Sequence, residues 1–64
     1  MKYGDLKPGY VYYSINNDCL IYVKYEFVTY PDNYRDLLIE VNDKIIRFRD
    51  NNDLEIDCIC LGKF

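Results

Sequence analysis

The chain has 64 residues, 50% of them hydrophobic, with eight Lys and Arg against eleven Asp and Glu for a net charge of −3. That length carries one domain, residues 1–64, and leaves no room for a separate catalytic unit, while the apolar fraction excludes disorder. A weakly acidic chain repels a phosphate backbone, so nucleic acid is a disfavoured partner, and its mixed signs make it a poor mimic of DNA.

Met1-Lys2-Tyr3-Gly4-Asp5 lacks the apolar run of a signal peptide, and no stretch approaches the ~18 apolar residues of a membrane span. Cys19, Cys58 and Cys60 are an odd set of thiols, which fits a reducing compartment and free cysteines. A cytoplasmic location is the expectation.

Lys7-Pro8-Gly9-Tyr10 places Pro second and Gly third, as a type II turn requires, and predicts a strand start at Tyr10. Over residues 10–15 alternation puts Val11, Tyr13 and Ile15 on the inner face and Tyr10, Tyr12 and Ser14 on the outer one. Asn16-Asn17-Asp18 supplies hairpin chemistry. The return strand, 19–29, is rich in aromatic and β-branched residues, with Cys19, Ile21, Val23, Tyr25 and Phe27 inward and Leu20, Tyr22, Lys24 and Glu26 outward. So long a strand in so small a chain must bend and serve both halves of a folded-over sheet; a bulge is expected at 24–26.

Tyr30-Pro31-Asp32-Asn33-Tyr34 reads as a loop. Residues 35–41 alternate as a strand, with Leu37, Ile39 and Val41 on one face; a short helix over 32–38 is the alternative and would make the fold α+β. Asn42-Asp43 predicts a two-residue turn, lengthening to three or four because Lys44 stands where Gly favours the tight form. Residues 44–49 put Ile46 and Phe48 inside and Arg47 and Arg49 outside. After the turn at 50–53, residues 54–61 make a last strand with Leu54, Ile56, Cys58 and Cys60 inward and Glu55 and Asp57 outward, and Phe64 is placed to fold back as a lid.

The expectation is an all-β domain, a small five-stranded antiparallel barrel of SH3-like type. The run Leu6-Lys7-Pro8-Gly9-Tyr10-Val11-Tyr12-Tyr13 resembles the opening strand of many small SH3-like barrels, including short accessory proteins of phages with AT-rich genomes; the abundance of Asn, Asp, Ile, Tyr and Lys is similar to theirs. Tyr10 stands where the usual pattern has a small acidic residue. The resemblance implies binding to, and inhibition of, a host enzyme or defence factor.

Chemistry is sparse. The chain has no His, the commonest general base and metal ligand near neutral pH. Cys58-x-Cys60 with Cys19 falls short of the four ligands of a structural zinc site, so the thiols read as core residues. The acidic stretch 50–57 lacks the Gly and distal Glu of an EF-hand loop. No enzyme, metal or cofactor is expected. Arg47 and Arg49 share an outer face, where cross-strand pairing with Glu40, or with Glu55 and Asp57, competes with a role in gripping a partner.

Tyrosine is the outlier, with eight copies. Outward Tyr10, Tyr12 and Tyr22 form either cross-strand packing or a protein-binding patch, since Tyr gives large contact area at low entropic cost. The leading expectation is a non-enzymatic protein-binding module acting through Tyr10, Tyr12, Tyr22, Arg47, Arg49, Glu55 and Asp57. The alternatives are a nucleic-acid-binding barrel and a homo-oligomer joined by a strand edge or the tyrosine face.

Overall fold

The computed structural model describes residues 1–27 and 33–64. A 3-10 turn (Tyr3–Asp5) precedes five strands: β1 (Tyr10–Ser14), β2 (Cys19–Phe27), β3 (Tyr34–Val41), β4 (Lys44–Asn51) and β5 (Cys58–Lys63). They form one antiparallel sheet in the order β4-β3-β2-β1-β5. The fold is all-β, and among the described residues hydrogen bonds do not close the sheet into a barrel, because β4 and β5 are both edges.

Turn chemistry acts where the sequence places it. Gly9 adopts φ +88° and the Tyr10 N–H bonds the Lys7 carbonyl at 3.3 Å, completing a type II turn, while the Gly9 N–H reaches the Val23 carbonyl at 2.8 Å and ties that turn to β2. Asp18 is left-handed at the end of the first hairpin. Asn42 and Asp43 both take positive φ, and Val41 faces Lys44, so the second hairpin closes on two residues without a Gly.

From Tyr34 onward β3 is extended, which overturns the helical alternative over 32–38 for the described part of that range. Leu37 is buried on one face of β3, as its alternation requires. The expected loop at 30–32 and the expected strand end at 28–29 lie outside the described residues.

The β2–β3 register slips between Val23 and Tyr25, leaving Lys24 without an opposite residue: the bulge falls where strand length demanded a bend. Cys19 and Leu20 pair with β1, Ile21 and Tyr22 with both neighbours, and residues from Val23 on with β3 alone, so β2 serves both halves of the sheet. A second slip, between Val11 and Tyr12 against β5, leaves Leu61 as the extra residue.

The core is Tyr3, Leu6, Tyr12, Val23, Leu37 and Cys58. Three expectations about facing fail. On β1 the inner residues are Tyr12 and Ser14, and Ile15 is exposed. On β2 the bulge sends Tyr25 and Phe27 to the outer face, opposite Leu38 and Asp36. The last strand begins at Cys58, because the Leu54 carbonyl and Ile56 N–H bond the N-terminal segment at Tyr3 and Met1, each at 2.8 Å, rather than β1. Leu54, ahead of β5, is exposed, and Cys60 is exposed although the register sets it on the inner face opposite Tyr12.

The N-terminal segment fills the seam between the two edges. The Tyr3 ring packs on Phe48 with centroids 5.4 Å apart, and its hydroxyl lies 2.9 Å from the Phe48 carbonyl and 3.0 Å from that of Arg35. Burial pushes the Tyr3 phenol up to about 12. Among the described residues no helix is long and apolar enough to cross a membrane.

Candidate binding surface

The structure does not bring Tyr10, Tyr12 and Tyr22 together. Tyr12 is 2% exposed, a core residue rather than a surface one. Its ring fills the interior while its oxygen accepts the Lys7 N–H at 2.9 Å, at the very turn that starts the strand. Tyr10 packs against the core, with the Lys63 ammonium 5.9 Å from its ring. Only Tyr22 lies on the outer face, in the row with Val11 and Glu40. Phe64 folds back onto it edge-on at 5.3 Å, held by its N–H to the Gly9 carbonyl, and the Lys24 ammonium sits 4.9 Å from the Phe64 ring.

Ser14 explains the rest of the β1 inversion. Its buried hydroxyl lies 3.2 Å from both oxygens of Asp57 and accepts from the Asn17 amide, so a polar residue occupies the interior with its partners supplied. Asp57 also accepts the Asn16 N–H, and this bond, with that of Ser14, holds its carboxyl below the usual range. Asp57 is therefore a brace between the first hairpin and β5. Glu55 precedes β5, opposite Lys2, with the N-terminal ammonium 3.7 Å away.

Arg47 and Arg49 do project from the outer face of β4, but the carboxylate that meets Arg47 is Asp36 on β3. Two guanidinium nitrogens, Nε and Nη2, donate to its Oδ2 at 3.0 and 2.7 Å. The expected partner Glu40 instead pairs with Lys24 at 3.2 Å. Asp36 is almost wholly enclosed, and the Arg47 bond holds its carboxyl below the usual range. Arg47 itself stays open, with a side chain 60% exposed. Its guanidinium lies 4.1 Å from the Phe27 ring centroid, and Tyr25, 57% exposed, meets the same ring edge-on at 5.0 Å.

Tyr25, Phe27 and Arg47 thus form one cluster, built by the bulge. Simple alternation hid the two aromatics by pointing them inward. The signal was the bulge itself, because one extra residue reverses the facing of everything after it.

Of the three free cysteines Cys58 is buried, Cys19 half-buried and Cys60 exposed, so the core reading fails for Cys60. Burial pushes the Cys58 thiol up, away from the reactive thiolate. Among the described residues no three His, Cys, Asp or Glu side chains gather as metal ligands. Two hollows remain. A shallow one of about 520 Å³ lies over Leu20 and Tyr22 beside the hairpin turns. An apolar one of about 200 Å³ opens between Phe48, Ile39, Ile21 and Cys58, on the inner side of the sheet.

Comparison with protein families, with curated proteins and with solved structures finds no match to this chain.

Proposed function

We propose that this chain is a small protein-binding module of SH3-like barrel type, acting in the cytoplasm by occupying the surface of a partner, in the manner of a phage-encoded inhibitor. The observation that carries the reading is the state of Arg47: stacked on Phe27, clamped by Asp36, and still 60% exposed beside an exposed Tyr25. Arg and Tyr are, with Trp, the residues most enriched among binding hot spots. Here the ordering cost of the Arg side chain has already been met in the free protein, which leaves more of its contact energy for binding.

The test is capture of a partner from a bacterial lysate by the immobilised chain, compared with Tyr25→Ala and Arg47→Lys. Arg47→Lys keeps a charge near Asp36 while losing the planar fork and the stack. Both variants should lose about tenfold or more of the captured partner, whereas Ile15→Ser, on the β1 hairpin, should not. Equal capture by all four proteins would remove this surface from the reading.

A further inference from the structure

The two sheet edges differ. Beside β5 the N-terminal segment already bonds residues 54–56, and the Leu61 bulge breaks the regular array further on. On β4 the N-terminal segment meets the far end, with the Tyr3 ring and hydroxyl at Phe48 and the Gly4 N–H at the Asn52 carbonyl, and the strand pairs with β3 in unbroken register from Val41–Lys44 to Tyr34–Asn51. The Asn52 N–H to Asn33 carbonyl bond fixes the phase of that ladder. It makes Tyr34–Asn51 a non-hydrogen-bonded pair, and by alternation Leu38–Arg47 and Glu40–Ile45 are non-hydrogen-bonded too. The peptide groups of Ile45 and Arg47 therefore point away from β3, toward the side where the described residues place no strand.

Both faces are exposed at Ile45 and Ile46, short of the point where Tyr3 meets Phe48. Ile45 is 59% exposed on the outer face, and Ile46 and Phe48, on the inner face, are 41% and 38% exposed although they face the core side. Phe48 also borders the apolar hollow shared with Ile39, Ile21 and Cys58. Lys44, Arg47 and Arg49 against Asp50 leave this strand positive in a chain of net charge −3, with Asp36 of β3 pairing with Arg47. A second copy added through its own β4 would set these cations against one another, so the edge disfavours self-pairing.

We infer that β4 takes up an extended acidic segment of a partner protein by strand addition, its peptide groups bonding those of Ile45 and Arg47. Its acidic side chains then lie on the outer face beside Arg47 and Arg49, and its alternate apolar side chains cover Ile46 and Phe48. Main-chain bonds hold the segment, and the two faces select it. The inference rests on the protein-binding reading and deepens it by naming the mode and the chemistry of the bound segment.

The experiment follows amide hydrogen exchange in the full chain while a capped peptide of alternating Glu and Val is added at low salt. The Ile45 and Arg47 amides should become protected about tenfold or more, with those of Ile46 and Phe48, already in the β3 ladder, unchanged. A Lys-Val peptide, and a Glu-Val peptide methylated on alternate amides, should protect neither. Ile45→Pro removes an outward N–H without breaking the ladder to β3, and it should abolish binding with the circular dichroism spectrum retained.

Absence of saturable Glu-Val binding, binding without protection of Ile45 and Arg47, or binding that survives Ile45→Pro would overturn the inference. Ile45→Pro also enters the lysate capture. If capture falls with Tyr25→Ala and persists with Ile45→Pro, strand addition fails while the outer-face reading stands. If capture is indifferent to Tyr25→Ala, Arg47→Lys and Ile45→Pro alike, both fail.

Discussion

Tyr12 and Tyr25 sit on neighbouring strands, and each faces opposite to its simple alternation. Tyr12 was expected outside and is enclosed; Tyr25 was expected inside and is exposed. The two reversals have different causes. Tyr12 is buried because the adjoining turn presents the Lys7 N–H to its oxygen, so a large ring enters the core without an unsatisfied polar tip. Tyr25 is exposed because the Lys24 bulge changes the phase of β2. In a core this small, a tyrosine goes inside when the local backbone can satisfy it, and goes outside when register decides.

Tyr12→Ala should have the largest effect. Emptying an aromatic core site costs about 3–5 kcal/mol, against a total stability of ~3–10 kcal/mol for a chain of this size. Denaturant titration should show a variant close to or past its unfolding midpoint in water. A fully folded Tyr12→Ala would mean that this ring is not the core anchor described.

Tyr12→Phe isolates the polar half of the argument. It keeps the ring and leaves the Lys7 N–H without its acceptor, at a cost of about 1–3 kcal/mol. An unchanged midpoint would make the hydroxyl dispensable and the reason for the inversion wrong.

Two pH responses sharpen the contrast between enclosed and open groups. Burial raises the Tyr3 phenol from 10.0 to about 12, so the folded state favours its neutral form. That contribution is complete below about 10 and fades as pH rises towards 12. Phenolate absorbance should show a late-titrating tyrosine that Tyr3→Phe removes. In the acid direction Asp36 and Asp57 are held below their ordinary 3.8, so their contribution is present above that value and lost as pH falls beneath it. The unfolding midpoint should decline below pH ~4. A midpoint that rose on acidification would contradict both pairings.

Tyr25→Ala should have the smallest effect on stability, within about 0.5 kcal/mol, as befits an exposed ring away from the core. A loss comparable to that of Tyr12→Ala would show Tyr25 to be structural and dissolve the difference between the two residues.

Much of the fold was legible in the sequence because it rests on local chemistry. Pro8-Gly9 dictates its turn, Asn42-Asp43 tolerates left-handed backbone, and Leu37, Ile39 and Val41 keep the period of a strand. Even the bulge was legible, from the length of β2. Less of the surface could be read. Of the residues proposed for binding, Arg47 and Arg49 face outward as expected, Tyr12 is core, Tyr10 packs on the core, and Asp57 braces a hairpin.

The sequence by itself determined the strands and most of their turns, because period and turn chemistry act over a few residues. The tertiary structure decided which face of each strand turns inward, which carboxylate meets Arg47, and where the N-terminal segment docks. Those outcomes depend on partners remote in sequence. The Ser14 hydroxyl meets Asp57, the Ile56 N–H meets the Met1 carbonyl beside β5, and one extra residue at Lys24 carries Phe27 under Arg47.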